Sequence, residues 1–313
     1  MNRAFFRTGG ILAAFIIGYF LPQLQALEWL IRWIIVLMLF TTFLKVNFLE
    51  LRPQLRHLYL ILANIGLAMG AWGAFKLLGH DDYATMAFFV AITPTATAAP
   101  VVMGFLKGRV EFMVASVITS TLVIGAALPI LIPIAIGHSA PGLIFHIAGS
   151  LAIVLLLPLI LATLIRNIHF PTATKLANGL GKYQFPLWVV NLTLVAASGS
   201  AFIRSHGEIT GHIFLAIAAL ASGICFLNFF LGYQIGRPHL KRECSQSLGQ
   251  KNTALTIYLA LTYATPLAAL SVTFYVVCHN TWNAIQIQRQ GRKDKLAEKL
   301  IEKEVQTVYD NES

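Results

Sequence analysis

The chain has 313 residues, 57% of them hydrophobic and only 12% charged, with a mean hydropathy of +0.71. Soluble domains carry about a quarter charged residues, so this composition excludes one and points to an integral membrane protein. The net charge of +10 leaves nucleic acid or a membrane as the reason for the basic excess, and its distribution decides between them.

Apolar runs long enough to cross a bilayer fall near 9–22, 28–46, 56–78, 84–106, 112–136, 142–165, 184–204, 210–236, 242–263 and 266–288, which predicts ten spans, the first one short. The Met1-Asn2-Arg3 start has some character of a signal peptide, but no clean small-residue cleavage site follows, so the run reads as the first helix. Assigning alternate loops to one side gives that side nineteen of the 23 basic residues, from Arg3 and Arg7 to the six of segment 289–313. The other side receives Arg32, Lys76 and Arg204, and Lys251 falls inside a span. The positive-inside rule then makes both termini cytoplasmic, and nucleic-acid binding has no support. Residues 167–183 read as a polar connector between two halves, and 289–313 as a charged, helix-forming, solvated tail. Cys225, Cys244 and Cys278 show neither a disulfide framework nor metal-ligand spacing, so no metal or cofactor is expected.

Two runs look interrupted. The fourth carries Thr93-Pro94-Thr95-Ala96-Thr97-Ala98-Ala99-Pro100, where each proline removes a backbone donor and disturbs the preceding turn. The ninth carries Gly249-Gln250-Lys251-Asn252. Broken helices five spans apart, one in each half, are the sequence pointer to an inverted-repeat transporter whose site lies where the breaks meet. A proline alone in a membrane helix signals no more than a kink.

Lys251 is the most informative residue. Burying an ammonium near a bilayer centre costs roughly 2.5–3.5 kcal/mol even on a lenient scale, so such a residue is a functional candidate by default. All 13 carboxylates fall in loops, at span ends or in the tail, so helix ends, amides and hydroxyls or an anionic ligand must hold it. Snorkelling to the interface past Arg242, about 14 Å of helix away, is the bland alternative.

These pieces resemble the bile acid:sodium symporter family over residues 9–288. The resemblance is carried by Val36-Leu37-Met38-Leu39-Phe40, by the Pro-Thr-Ala-Thr-Ala break followed by Phe105-Leu106-Lys107-Gly108-Arg109, by Gln250-Lys251-Asn252-Thr253-Ala254-Leu255 and by His279-Asn280. It implies an all-α polytopic fold of ten transmembrane helices in two inverted five-helix repeats, with broken helices 4 and 9 crossing at the midplane. Panel helices would lie in 9–46 and 142–204 and core helices in 56–136 and 210–288. It also implies a bacterial homologue in the inner membrane.

Family members bind two sodium ions beside the crossing. Position by position, the ligands of the first site fall on Ala99, Pro100, Met113 and Val117, which offer no side-chain oxygen to a hard cation. The shared carboxylate falls on Ser247 and a glutamine ligand on Lys251, while Asn64 retains the amide of the second site. Sodium is therefore not expected to bind. Lys251 would replace it, bonded to Asn64, Ser247 and carbonyls of the unwound segment, with Gln250 in the same cation-site equivalent. A second reading makes Lys251 a titrating group and the transport proton-coupled, since burial penalises an uncompensated charge.

The exposed half-helix N-termini and the ammonium favour an organic carboxylate or sulfonate with an apolar, bile-acid-like body, lined by Thr95, Thr97, Asn252, Thr253, His279 and Asn280. An enzyme is not expected, because no intramembrane carboxylate supplies an acid-base pair and only Ser247 with Lys251 could form a dyad. A non-transporting membrane sensor is a further alternative. No cysteine falls in the helix 4 break, which disfavours an arsenite permease.

Overall fold

A chain in lipid has to bond its own backbone groups, and for long apolar runs helix is the conformation that does so. The computed structural model describes residues 3–45, 51–138, 141–205 and 211–312. In chain order it contains α1 (Arg3–Phe20), a 3-10 segment (Pro22–Leu27), α2 (Trp29–Leu44), α3 (Leu55–Leu77), α4 (Asp81–Ile92), α5 (Ala99–Phe105) and α6 (Val110–Ile136). There follow α7 (Pro141–Leu151), a π-helical segment (Ala152–Leu156), α8 (Leu157–Ile168), α9 (Phe170–Gly181), α10 (Gln184–Ser205), α11 (Gly211–Ile235), α12 (Lys241–Gly249), α13 (Thr253–Tyr263) and α14 (Pro266–Glu312). Among the described residues there is no strand, only an isolated bridge between Thr95 and Lys251.

Four helical stretches, Leu55–Leu77, Val110–Ile136, Gly142–Ile168 and Gly211–Ile235, are long and apolar enough to cross a membrane, and Trp29–Leu44 and Thr253–Tyr263 are shorter apolar helices. The fourth and ninth apolar runs are each divided in two, as α4 with α5 and α12 with α13. The first helix begins at Arg3, earlier than the apolar run, and the connector 167–183 holds α9. The tail is not a separate element, because α14 runs 47 residues from the tenth apolar run through Glu312. Residues 46 and 210, at the edges of two predicted spans, lie outside the described residues.

The helices associate in two sets. Helix α3 packs on α4, α11 on α12, and α14 on α4, α11 and α13, while α1 packs on α10 and α2 on α8 and α9. The sets meet where α6 touches α7, α10 touches α14 and α13 touches α2. Small residues let the closest pairs approach, as is usual where lipid supplies no hydrophobic drive between helices. A Cβ on Gly232 of α11 would lie 2.3 Å from the Cys244 carbonyl oxygen and 2.8 Å from the Ser245 Cα of α12.

One end of this assembly is clasped around the turn between α5 and α6. Lys107, with φ of 55°, bonds Asp294 of α14 at 2.8 Å, and Glu243 of α12 accepts the Arg109 N–H at 3.0 Å. Arg242 donates to the Leu106 carbonyl in the same turn. The hydrogen bond from Lys107 holds the Asp294 carboxyl below its ordinary value, so the contact is intact at neutral pH and is lost as pH falls through that lowered value.

The backbone approach at Gly232 yields a direct expectation. Gly232→Leu drives a side chain into the α12 main chain and lowers stability by at least about 1–3 kcal/mol, measured by thermal unfolding in detergent. Unchanged unfolding would contradict the packing.

Candidate functional site

The two interruptions have different local causes. Thr93 precedes Pro94 and leaves the helix with φ −56° and ψ 130°, the extended conformation that the proline ring imposes on its predecessor. Pro100 lies in the first turn of α5, where its missing N–H costs nothing. The two prolines therefore end one half-helix and start the next. The second break has no proline: α12 ends at Gly249, and Gln250 is extended with φ −92° and ψ 105°. Gly249 has no positive φ, and its small size serves packing instead, since a Cβ there would lie 2.3 Å from the Phe229 ring.

Each break supplies what the other lacks. The Ala96 N–H donates to the Gln250 carbonyl and the Asn252 N–H to the Pro94 carbonyl, both at 2.8 Å, making Thr95 and Lys251 an antiparallel facing pair. Serine and threonine hydroxyls complete the joint. The Thr95 N–H donates to Ser120 Oγ at 3.0 Å, and Thr95 Oγ1 donates to the Ser247 carbonyl at 2.8 Å.

The carbonyls at the C-terminal ends of α4 and α12 likewise accept hydrogen bonds from side chains. At α4, Phe89 O accepts from Thr93 Oγ1 at 3.1 Å, Ala91 O from Lys251 Nζ at 3.0 Å and Thr93 O from Asn64 Nδ2 at 2.9 Å. At α12, Gly249 O accepts from the Tyr275 hydroxyl at 2.7 Å. Lys251 is 2% exposed and makes no ion pair among the described residues. A charge-assisted hydrogen bond is worth about 1.5–3 kcal/mol, and the negative end of a helix adds up to about 2 kcal/mol in buried geometry. Together they are comparable with the roughly 2.5–3.5 kcal/mol insertion cost. The α4 terminus alone can hold the ammonium, without a carboxylate.

Asn64, Thr95 and Ser247 come together, with Ser116 and Ser120 of α6 and His57 of α3, around a small cavity that has about 200 Å³ of free space and room for about one water-sized particle. Asn64 Oδ1 is buried there without a partner, and Ser116 and Ser247 hydroxyls bond each other. Lys251 does not join this group: its ammonium bonds neither Asn64 nor Ser247 but the Ala91 carbonyl, two residues before the Thr93 carbonyl that Asn64 caps. The ammonium is drawn to the main chain because α4 ends there with unsatisfied acceptors.

The remaining candidates are dispersed. Gln250 is buried with Oε1 unpartnered, and its main chain carries the pairing. Asn252 and Thr253 are buried at the start of α13, which has no side-chain cap. Thr97 is half-buried before α5. His279 is buried edge-on to Tyr275 at 5.5 Å with Nδ1 unpartnered, and Asn280 is half-buried and donates to Val276 O at 2.8 Å within its own helix. Sequence reasoning missed Ser116, Ser120 and Tyr275. The available signal was two hydroxyls four apart, hence on one face, in an otherwise apolar run.

No protein-family model matches the chain, and no curated protein matches it either.

The capping arrangement is testable at Tyr275. Tyr275→Phe leaves the Gly249 carbonyl buried without its donor and lowers unfolding free energy by about 1–3 kcal/mol. Denaturant unfolding in detergent checks this, and an unchanged value would remove the hydroxyl from the joint.

Proposed function

We propose that the chain is a secondary transporter of organic anions that works by alternating access, with the Lys251 ammonium serving as a tethered cation where related machinery uses dissolved sodium. The carrying observation is the pairing of two interrupted helices around a buried lysine that has no acidic partner. Intramembrane ionisable residues and discontinuous helices mark substrate and ion sites in such proteins. The breaks fall in the fourth and ninth apolar runs, five apart, and they pair antiparallel, which is the relation expected of two inverted five-helix repeats.

In this reading α3–α6 and α11–α14 form a core and α1, α2, α7, α8 and α10 a panel, both termini are cytoplasmic, and the membrane is a bacterial inner membrane. Membership of the bile acid:sodium symporter family is part of the same proposal. A Ser-Lys hydrolase is disfavoured, because the Ser247 hydroxyl bonds Ser116 and the Lys251 amine bonds a carbonyl.

A second reading is favoured by one observation, the oxygen-lined cavity with an orphaned amide oxygen. Asn64, Thr95, Ser116, Ser120 and Ser247 provide a neutral oxygen set that fits one hard monovalent cation in chemistry, and such a cation would brace α3, α6 and α12 against each other. The tethered-cation reading makes it dispensable. Sodium titration of the purified chain against an impermeant organic cation leaves melting temperature and anion affinity unchanged on the first reading, and sodium-dependent stabilisation establishes the second.

Lys251→Gln tests the ammonium itself. Anion uptake into proteoliposomes falls at least about tenfold, and the melting temperature drops as the Ala91 carbonyl loses its charged donor. Uptake, binding and stability all left intact would make Lys251 a bystander.

A further inference from the structure

Away from the paired breaks, a cleft with a volume of about 320 Å³ opens between α2 and α13. Its volume lies in the range of small-molecule sites, about 300–1,000 Å³. Glu28, Trp29, Arg32 and Trp33 line one wall, and Tyr258 and Thr262 the other. The walls belong to the two different helix sets, and the far wall begins about 9 Å along α13 from the break at Asn252.

The charges in the cleft are unequal in their commitments. Glu28 Oε2 accepts a hydrogen bond from Ser198 Oγ of α10 at 2.9 Å. Arg32, one helical turn further on, makes no ion pair or hydrogen bond among the described residues, and its Nε is buried without a partner. Its guanidinium carbon lies 5.8 Å from the Trp33 ring centroid. The Tyr258 hydroxyl is held by Ser150 Oγ of α7 at 2.8 Å, which fixes the opposite wall. A guanidinium with free donors is matched to a carboxylate or phosphate, which it grips with two parallel hydrogen bonds. The indole and phenol rings provide flat apolar surface for the body attached to such a group. With Glu28 on the same wall, a compact multivalent anion is repelled, whereas a monoanion gains the fork and the rings together.

We infer that the cleft between α2 and α13 is an anion-binding site, in which Arg32 grips the carboxylate of a monoanionic amphipathic solute and Trp29, Trp33 and Tyr258 receive its apolar body. This deepens the transport reading and rests on it only for the role of the site as an outward-facing vestibule.

The test uses equilibrium binding of radiolabelled 2-naphthoate and of neutral 2-naphthamide to the full chain, in maltoside micelles and in nanodiscs containing phosphatidylglycerol. The wild type binds 2-naphthoate saturably and at least about tenfold more tightly than the amide in both settings. Arg32→Gln abolishes that preference, and Arg32→Lys retains part of it, with melting temperatures close to the wild type because Arg32 makes no hydrogen bond or ion pair among the described residues.

No saturable binding, no preference for the acid, or a preference that survives Arg32→Gln overturns the site. A preference present in micelles but lost in the nanodiscs assigns Arg32 to a lipid phosphate and also overturns it. Counterflow of labelled 2-naphthoate separates the two proposals. Binding through Arg32 without counterflow leaves the site and removes transport, whereas binding through Arg32 with counterflow indifferent to Arg32→Gln leaves both and removes only the site's role as a vestibule.

Discussion

A helix broken inside an apolar bundle frees main-chain donors and acceptors where water cannot reach them, and the arrangement of α4, α5, α12 and α13 follows from how those groups are bonded. Neither break is self-sufficient. The Pro94 and Gln250 carbonyls accept hydrogen bonds from main-chain N–H groups of the opposite segment, and the ends of α4 and α12 are closed by side chains from α3, α14 and the opposite break. Leaving one buried polar group unbonded costs about 1–3 kcal/mol, so each interruption is stable only in the presence of the other. The pairing ties α4 and α5 to α12 and α13 as one mechanical unit.

Lys251 belongs to that closure and also carries a charge. Its ammonium takes one of the acceptors at the α4 terminus, the end of a helix that favours a cation. In the proposed mechanism this tethered ammonium does what a bound metal ion does in a sodium-coupled transporter, and the anionic solute is drawn toward the crossing by a field that needs no metal ion to be loaded first. On that proposal the core stays assembled through the cycle, and the driving force enters through the solute or a proton.

Much of this was legible in the sequence, for stated reasons. Pro94 and Pro100 carry their backbone effects with them, so the first interruption could be read from the residue types alone. The polar run Gln250-Lys251-Asn252 marked the second, but not how it is built: Gly249 admits Phe229, and the extended conformation of Gln250 comes from pairing with a distant segment. That Lys251 would be buried followed from its place in an apolar run, whereas its partner, the Ala91 carbonyl, is a main-chain atom with no signature in any side chain. The same blindness explains Ser116 and Ser120. Which face of α6 meets the joint is a tertiary fact, set by the packing around the cavity. The tail merged into α14 because no proline lies between Asn280 and Arg292, and Gly291 alone costs only about 1 kcal/mol in a helix interior.

The most direct measurement is an experimental density map of the chain in a lipid nanodisc, at a resolution that places the residue 251 side chain. The account predicts the amine within hydrogen-bonding distance of the Ala91 carbonyl, between two paired extended segments. An amine reaching the headgroups or open water, or segments 93–98 and 250–252 lying apart, would contradict it.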